Sequence, residues 1–358
     1  MGTVKEIRQE FHNFGPKIQT LKISEDIIKR IHGRERIVIT SHHNPDGDAI
    51  GSVLAMHLYL KKLGHTPVMI VPSPYPDFLK WLPDNHLINV YQHSKERCDE
   101  EIRNADIIFC LDYNALNRAG QMEDPIRGST AFRILIDHHP DPDTGHFDLI
   151  CSETETSSTA ELVYDFILAN GDRDKIDKDI AGCIYTGIMT DTGSFSYACN
   201  HAKTYIVVAN LFETGIDGER IHRKVYDTFS EDRLRLLGYC LSEKLVVLKE
   251  YGTAYITLSS EELKRFRFRT GDTEGIVNYA LSIKGINLAV MFTEKKDKIR
   301  LSFRSKGDFR VNVFSRDHFD GGGHRNAAGG DSNLSMEQSV ERFRELLPKY
   351  RNELLKED

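Results

Sequence analysis

Aspartates and histidines gather at three places in the first half of the sequence, in types and order suited to binding metal ions. They occupy residues 42–48 (HHNPDGD), Asp112 and residues 137–139 (DHH). Carboxylate oxygens and imidazole nitrogens together bind divalent ions such as Mn²⁺, Co²⁺, Zn²⁺ or Mg²⁺. One ion would not neutralise so many acids. Two ions about 3.5–4 Å apart, sharing a carboxylate and activating a water, suit the pattern better.

Each of these groups directly follows a short apolar run rich in β-branched residues, at 36–40, 107–111 and 132–136. Such runs are typical of strands buried on both faces of a parallel sheet. Because ligands bind outside the carboxyl ends of such strands, the three groups are expected to meet at one edge as a metal centre. The alternative is that each Asp is a helix N-cap or turn residue, and Asp48 before Ala49 suits a cap. That alternative would be favoured for one Asp alone, but not for three strand ends together.

Strand and helix patterns alternate around these groups, which predicts an α/β fold with a doubly wound parallel sheet. Residues 1–35 are expected to form one or two amphipathic helices that lead into the first strand. The patterns that follow predict a strand at 68–71, helices at 49–63, 157–168 and 177–190, and the end of a short helix at 100–104. Gly64 is the expected stop of the 49–63 helix.

A chain of 358 residues exceeds what a single core usually fills, so two domains are expected. The predicted organisation is a metal-binding domain at 21–201, a mostly helical connector at 202–250 and a smaller α/β domain at 251–350. The elements predicted for the smaller domain are strands at 253–258, 288–293 and 299–304, a helix at 275–282 and a C-terminal helix from near Ser335.

Composition limits the classes of function. A net charge of −7 argues against broad electrostatic adhesion to nucleic acid or anionic membranes, although bound divalent ions could supply local positive charge for a phosphorylated substrate. Six scattered cysteines without a C-x-x-C pair argue against a disulfide framework or a zinc site. The N-terminal residues lack the apolar stretch of a signal peptide, and no apolar run reaches the length of a membrane span. We therefore expect a cytoplasmic protein.

Two further segments suggest contact with phosphate or nucleotide. The glycines at 321–323 could bring backbone N–H groups close to an anion, and Ala327-Ala328 suggests tight packing at a helix start. A glycine run alone is at least as often a flexible turn, but the nearby His324 and Arg325 favour a binding role. The segment 264–269 (KRFRFR) could bind nucleic acid by charge and stacking, or could equally be one solvated basic stretch.

The ordered motifs resemble those of the DHH phosphoesterase superfamily. The matching residues are His42-x-x-x-Asp46-x-Asp48, Asp112, Asp137-His138-His139 and Asp191. Residues 302–306 and 321–329 resemble the accompanying DHHA1 domain, and the resemblance extends over about residues 35–345. The size, without an added OB-fold, sensor or membrane segment, is similar to NrnA-type proteins, which are bifunctional oligoribonucleases (nanoRNases) and 3′-phosphoadenosine 5′-phosphate (pAp) phosphatases.

The resemblance implies a role for each matching residue. His42 and Asp46 would hold one ion, Asp48, His138 and Asp191 would hold the other, and Asp112 would bridge the two. His139 would lie beside the scissile phosphate, Asp137 would orient an imidazole, and His43 would be a nearby loop histidine. The implied substrate-binding residues are Arg304, Ser305, Gly322, Gly323 and His324. Asp320 departs from the family, which usually has another glycine there.

The implied activity is that of a Mn²⁺-dependent phosphoesterase in which a hydroxide bridging the two ions attacks phosphorus. Very short RNA would be degraded to mononucleotides and pAp would be converted to AMP. No membrane and no stable double-stranded DNA binding is expected, and an oligomer is compatible with the sequence. Alternatives are a phosphodiesterase for pGpG-type linear or cyclic dinucleotides, a pyrophosphatase, or an inactive RNA- or nucleotide-binding module. The Gly321–Gly329 motif argues against a pyrophosphatase, and the complete ligand set argues against an inactive centre.

Overall fold

The computed structural model describes residues 25–33, 35–269 and 271–356. The chain forms two compact units that divide after Thr228. Residues 202–228 of the predicted connector therefore belong to the first unit, and residues 229–250 belong to the second. The helices predicted before residue 25 lie outside the described residues.

A six-stranded parallel sheet forms the centre of the first unit. Its strands are β1 (Ile37–Thr40), β2 (Val68–Val71), β3 (Asn89–Val90), β4 (Ile107–Leu111), β5 (Phe132–Asp137) and β6 (Leu149–Ser152). Their order across the sheet is β3-β2-β1-β4-β5-β6, and every neighbouring pair is parallel. The doubly wound α/β fold predicted from the sequence is confirmed. The winding direction reverses between β1 and β4, the kind of position where such sheets bind ligands.

Eight helices lie in the described part of the first unit. They are α1 (Glu25–Ile31), α2 (Gly47–Lys62), α3 (Lys95–Asn104), α4 (Glu123–Gly128), α5 (Thr159–Ala169), α6 (Lys178–Asp191), α7 (Ala202–Glu213) and α8 (Gly218–Tyr226). As predicted, α2 ends just before Gly64, which has a φ of +92°. The cap alternative for Asp48 is wrong. Asp46 is the N-cap of α2, and its side chain accepts hydrogen bonds from the backbone N–H groups of Asp48 and Ala49.

Glycines allow α2 and α6 to pack with their backbones in contact. A Cβ added to Gly51 would lie 2.7 Å from the Cys183 carbonyl oxygen and 3.0 Å from the Gly187 nitrogen. A Cβ on Gly187 would lie 2.9 Å from Asp48 Oδ1, and one on Gly47 would overlap the Thr190 side chain. This close approach brings the start of α2, which carries Asp48, next to the end of α6.

The second unit contains a mixed six-stranded sheet. Its strands are β7 (Leu245–Leu248), β8 (Thr253–Leu258), β9 (Leu288–Glu294), β10 (Ile299–Ser305), β11 (Gly322–His324) and β12 (Ala327–Ser332), and their order is β11-β12-β10-β9-β8-β7. The pair β8–β9 is parallel and the other pairs are antiparallel. The helices of this unit are α9 (Glu231–Tyr239), α10 (Ser260–Arg265), α11 (Ile276–Leu281), α12 (Val311–His318) and α13 (Met336–Leu354). The elements agree with the smaller α/β unit predicted from the sequence.

The glycine-rich segment does not begin a helix, so the prediction made from Ala327-Ala328 is wrong. It forms the hairpin β11–β12, in which Gly323 pairs with Ala328. Gly321 is required by close packing, because a Cβ there would overlap the Gly329 carbonyl and the Ser315 hydroxyl. Asp320, just before the hairpin, has a φ of +43°, in the left-handed region that favours glycine.

Within the described residues, no helix combines the length and apolar character needed to cross a lipid bilayer.

Candidate metal centre

The carboxyl ends of β1, β4 and β5 deliver the predicted groups to one edge of the parallel sheet. His42 lies two residues beyond β1, Asp112 directly follows β4, and Asp137 is the last residue of β5. Asp112 has a left-handed backbone with a φ of +64°, and its N–H donates to the Ile136 carbonyl oxygen at 3.1 Å. Such strain persists only where the surroundings enforce it, and it often marks functional positions.

One ligand group consists of His42, Asp46 and Asp112, whose ligand atoms all lie within 4.8 Å of one another. His42 Nε2 is 3.3 Å from Asp112 Oδ2 and 3.9 Å from Asp46 Oδ1. The other ring nitrogen, Nδ1, donates to the His43 carbonyl oxygen at 3.0 Å, which directs Nε2 toward the acids. Burial disfavours charge on this ring, yet hydrogen bonds with Asp112 and Asp46 raise the pKa of His42 to about 10. A position that attracts a proton so strongly also attracts a divalent cation.

A second ligand group consists of Asp48, His138 and Asp191. His138 Nε2 lies 3.8 Å from Asp48 Oδ2, 3.6 Å from Asp191 Oδ2 and 3.5 Å from Asp112 Oδ1. The two carboxylate oxygens of Asp112 therefore approach different groups, with Oδ2 near His42 and Oδ1 near His138. Burial lowers the pKa of His138 to about 4, so this imidazole is neutral at pH 7 and can act as a ligand.

The carboxylates of the two groups repel one another. Burial and the negative charges of Asp112 and Asp191 raise the pKa of Asp48 well above its usual range. Buried carboxylates at such short separation need either protons or cations to offset their charge. Oxygen and imidazole donors together suit borderline or hard divalent ions, so the residues that the structure brings together form a chemically suitable metal site.

The N-terminus of α5 holds two of the acids in place. Asp48 Oδ2 accepts a hydrogen bond from the Thr159 N–H at 2.7 Å, and Asp48 Oδ1 accepts one from the Ala160 N–H at 2.8 Å. The Thr159 hydroxyl donates to Asp112 Oδ1 at 3.0 Å. The two backbone N–H groups are otherwise unsatisfied donors of a helix start, where the helix dipole favours negative charge. The sequence indicates only that a helix begins here. It does not show that Thr159 contacts an acid 111 residues earlier.

His139 is held by Asp137 beside the two ligand groups. His139 Nδ1 donates to Asp137 Oδ1 at 2.7 Å, and the His139 backbone N–H donates to Asp137 Oδ2 at 3.1 Å. His139 Nδ1 is also 3.7 Å from Asp112 Oδ1. Burial and the negative charge of Asp112 raise the pKa of Asp137 well above its usual range. The contact between Asp137 and an imidazole, which the resemblance implies, is present.

Arg118 is a basic residue near the centre that no sequence motif indicates. Its carbonyl oxygen accepts a hydrogen bond from the His43 N–H at 2.7 Å, which ties the segment after β4 to the segment after β1. The positive charge of Arg118 opposes the rise in the pKa of Asp137 and contributes to the lowered pKa of His138. The His43 side chain is exposed and packs beside Gly120, where an added Cβ would lie 3.3 Å from the ring. His43 is absent from the clusters of potential metal ligands found among the described residues.

The residues predicted to bind substrate in the second unit cluster around β10 and β11. Gly322, Gly323 and His324 form β11, which is an edge strand of the sheet formed by the described residues. Ser305 is buried, and its hydroxyl donates to the Phe309 carbonyl oxygen at 2.7 Å while accepting from Asn326 at 2.9 Å. These bonds hold Ser305 in place and join the segments that flank α12.

The basic segment 264–269 packs partly against its own unit. The ring of Phe266 lies 5.1 Å from that of Tyr239, and Arg267 forms an ion pair with Asp232 at 2.7 Å. These contacts favour the interpretation of segment 264–269 as a solvated basic stretch rather than as a surface on which nucleic-acid bases stack.

The fold and the centre together define a class of protein. The sequence profile of the DHH family, N-terminal domain, matches residues 36–188, and that of the DHHA1 domain matches residues 251–353. The chain therefore belongs to the DHH family of phosphoesterases, as the motifs indicate, and carries a DHHA1 domain.

Particular relatives extend over nearly the whole chain. A protein from Streptococcus mutans named "Probable bifunctional oligoribonuclease and PAP phosphatase NrnA" is 30% identical over 322 residues, which are 89% of this chain and 96% of the relative. The Bacillus subtilis protein named "Bifunctional oligoribonuclease and PAP phosphatase NrnA" is 28% identical over 308 residues, covering 85% of this chain and 91% of its own length. Among solved structures, an exopolyphosphatase-related protein from Bacteroides fragilis superimposes with a TM-score of 0.88 at 43% identity, covering 92% of this chain and 97% of its own.

Proposed function

We propose that this protein is a two-metal phosphoesterase that hydrolyses very short RNA to mononucleotides and converts pAp to AMP. The observation that carries the proposal is the position of Asp112, whose two oxygens face different ligand groups at 3.3 and 3.5 Å. A carboxylate in this position suits two neighbouring cations, the arrangement that stabilises attacking and leaving oxygens in phosphoryl transfer. The names of the relatives from S. mutans and B. subtilis support the two substrates.

In this proposal each ligand group holds one ion. His42 and Asp46 hold the first, Asp48, His138 and Asp191 hold the second, and Asp112 contacts both. Bound Mn²⁺ would supply Lewis-acid charge and would lower the pKa of a water molecule near phosphorus. The N-terminus of α5 keeps the carboxylates of Asp48 and Asp112 oriented, so little reorganisation is needed when the ions bind.

Two side chains stabilise the phosphoryl group without binding metal. His139, fixed by Asp137, would donate from Nε2 to a phosphoryl oxygen in its protonated form. Arg118 adds positive charge on the same edge of the sheet. Fixed donors aimed at developing negative charge are worth about 10²–10³-fold in rate each. We propose that Arg304, Ser305 and the strand β11 of the DHHA1 domain bind substrate, and we place the protein in the cytoplasm.

Hydrolysis of defined substrates by the purified protein tests the proposal. A labelled RNA dinucleotide and pAp are each incubated with protein that has been stripped by EDTA and then supplied with Mn²⁺, Mg²⁺ or buffer alone. We expect mononucleotides and AMP to form with Mn²⁺ and not with buffer alone. Absence of metal-dependent turnover on both substrates would falsify the proposal.

The same assay separates the related activities. Inorganic pyrophosphate and pGpG are included at the same concentrations, and initial rates are compared. A pGpG rate far above those for other dinucleotides and pAp would identify a dinucleotide phosphodiesterase instead. Rapid hydrolysis of pyrophosphate alone would identify a pyrophosphatase.

His324→Ala is expected to weaken nucleotide binding while the metal centre stays assembled. His324 ends β11 in the second unit, and the proposal gives it a role in holding substrate. Loss of one charge-assisted hydrogen bond is worth about 1.5–3 kcal/mol, so KM for pAp should rise by more than tenfold. Metal content by plasma mass spectrometry should remain that of the unaltered protein. A variant that loses its metal would show that the assignment of His324 to substrate binding is wrong.

A further inference from the structure

The segment that follows the metal-ligand candidate Asp191 has an unusually strained backbone. Three successive residues, Gly193, Ser194 and Phe195, have φ values of +54°, +58° and +63°. The left-handed conformation costs about 1–2 kcal/mol for each residue that carries a side chain. A bulky residue such as Phe195 adopts it only when its surroundings require it.

Hydrogen bonds to one residue close this segment into a tight turn. The carbonyl oxygen of Thr192 accepts from the N–H groups of Ser196 and Tyr197 at 2.8 and 2.9 Å. The Thr192 hydroxyl accepts from the Phe195 N–H at 3.0 Å. Thr192 is itself fully buried, so the turn is anchored to the end of α6. The hydrogen bonds to Thr192 therefore fix the backbone conformation of this segment.

The turn separates its two aromatic side chains. The ring of Phe195 packs between Tyr185 and Tyr205, with centroids 6.0 and 6.3 Å away. The ring of Tyr197 instead lies against Gly193, where an added Cβ would be 2.8 Å from Tyr197 Cδ2. Tyr197 is nevertheless 49% exposed. One edge of the ring is thus held against backbone two residues from Asp191, and much of the ring remains open to solvent.

We propose that Tyr197 stacks on the base of the nucleotide whose phosphate lies at the metal centre. The inference rests on the proposed function and adds a base-recognition element to it. An exposed aromatic ring is a sequence-tolerant platform, because every base has a π-face, and one such stack is worth about 1–3 kcal/mol. Tyrosine also loses little conformational entropy when it is held in place. Two further exposed aromatic residues of the first unit, Tyr205 and Phe212, lie on α7, so a protein partner that binds this helix is the alternative to a nucleotide base at this surface.

A substrate that lacks the base gives the most direct test of stacking by Tyr197. Steady-state constants are measured with Mn²⁺ for pAp and for ribose 3,5-bisphosphate, which presents the same phosphates without adenine. For Tyr197→Ala we expect KM for pAp to rise by roughly 10–100-fold, while the constants for ribose 3,5-bisphosphate change less than about threefold. Tyr197→Phe keeps the ring and should behave like the unaltered protein.

Two controls separate stacking from a general disturbance of the turn. Tyr205→Ala removes an equally exposed tyrosine that contacts Phe195 but is not the proposed platform, and it should leave KM for pAp within about threefold. Equal losses on both substrates in Tyr197→Ala, or no loss on either, would overturn the stacking role. The unaltered protein tests the proposed function separately: hydrolysis of ribose 3,5-bisphosphate with the same KM as pAp would support the phosphoesterase and reject the base platform.

Discussion

Asp112→Asn is expected to abolish turnover of every substrate and to lower the metal content of the protein. The substitution removes the negative charge that faces both ligand groups, at 3.3 Å from His42 and 3.5 Å from His138. We expect kcat to fall by more than about 10³-fold, which corresponds to over 4 kcal/mol of transition-state stabilisation. Asparagine tolerates the left-handed φ of +64° and can still accept the bond from Thr159, so the fold should persist.

Metal content after dialysis against Mn²⁺, kcat on pAp and the thermal midpoint are measured together on this variant. Asp141→Asn is the matched control, because Asp141 is also an aspartate with positive φ, at +57°, but is exposed and outside the ligand groups. It should keep full metal content and activity. Normal turnover of pAp by Asp112→Asn would contradict the bridging role.

His139→Ala is expected to lower kcat by about 10²–10³-fold with little change in metal content. The imidazole is oriented by a 2.7 Å hydrogen bond to Asp137, so its loss removes a positioned donor rather than a metal ligand. Asp137→Asn should give a smaller decrease, because it leaves the imidazole in place but weakens the bond that orients it.

The control for this prediction is His43→Ala, which removes the exposed neighbouring histidine and should retain activity within about threefold. Metal is again quantified by plasma mass spectrometry, and kcat is determined on pAp and on an RNA dinucleotide. If His139→Ala lost half or more of its metal, His139 would be a ligand, with Asp112 and Asp137 as its neighbours.

The sequence predicts the sheet that carries the centre because local and long-range preferences agree there. The runs that form β1, β4 and β5 are apolar and β-branched, and such runs between polar groups are typical of strands buried in a parallel sheet. Six metal-ligand candidates follow from the motifs, and the structure brings all six together in two adjoining clusters. Short-range signals also predict α2 and its stop at Gly64.

Other elements of the fold and other residues of the centre cannot be predicted from the sequence around them. The strands β11 and β12 are rich in glycine and alanine, which have low strand propensity. They form because β12 pairs with β10 and β11 pairs with β12. The role of Thr159 depends on helix-start N–H groups meeting Asp48 across the fold. Arg118 lies in a segment without a motif, and only the backbone bond to His43 shows where it lies. Asp46 and Asp48 both stand near the predicted start of α2, and only the hydrogen bonds show that Asp46 is the N-cap and that Asp48 lies in the first turn.

The glycine contact between α2 and α6 also affects the size of the cation that the proposed metal centre could hold. Asp48 stands at the start of α2 and Asp191 ends α6, so the spacing of two helix backbones sets the distance between two ligands. Backbones already in contact at Gly51 and Gly187 cannot approach further, and packed interiors resist compression. Oxygen ligands lie about 2.0–2.1 Å from Mg²⁺ but about 2.3–2.6 Å from Ca²⁺. In the proposed metal centre the two glycines would set a lower limit to the separation of Asp48 and Asp191, so the size of the ion would depend on the helix packing as well as on the ligand chemistry.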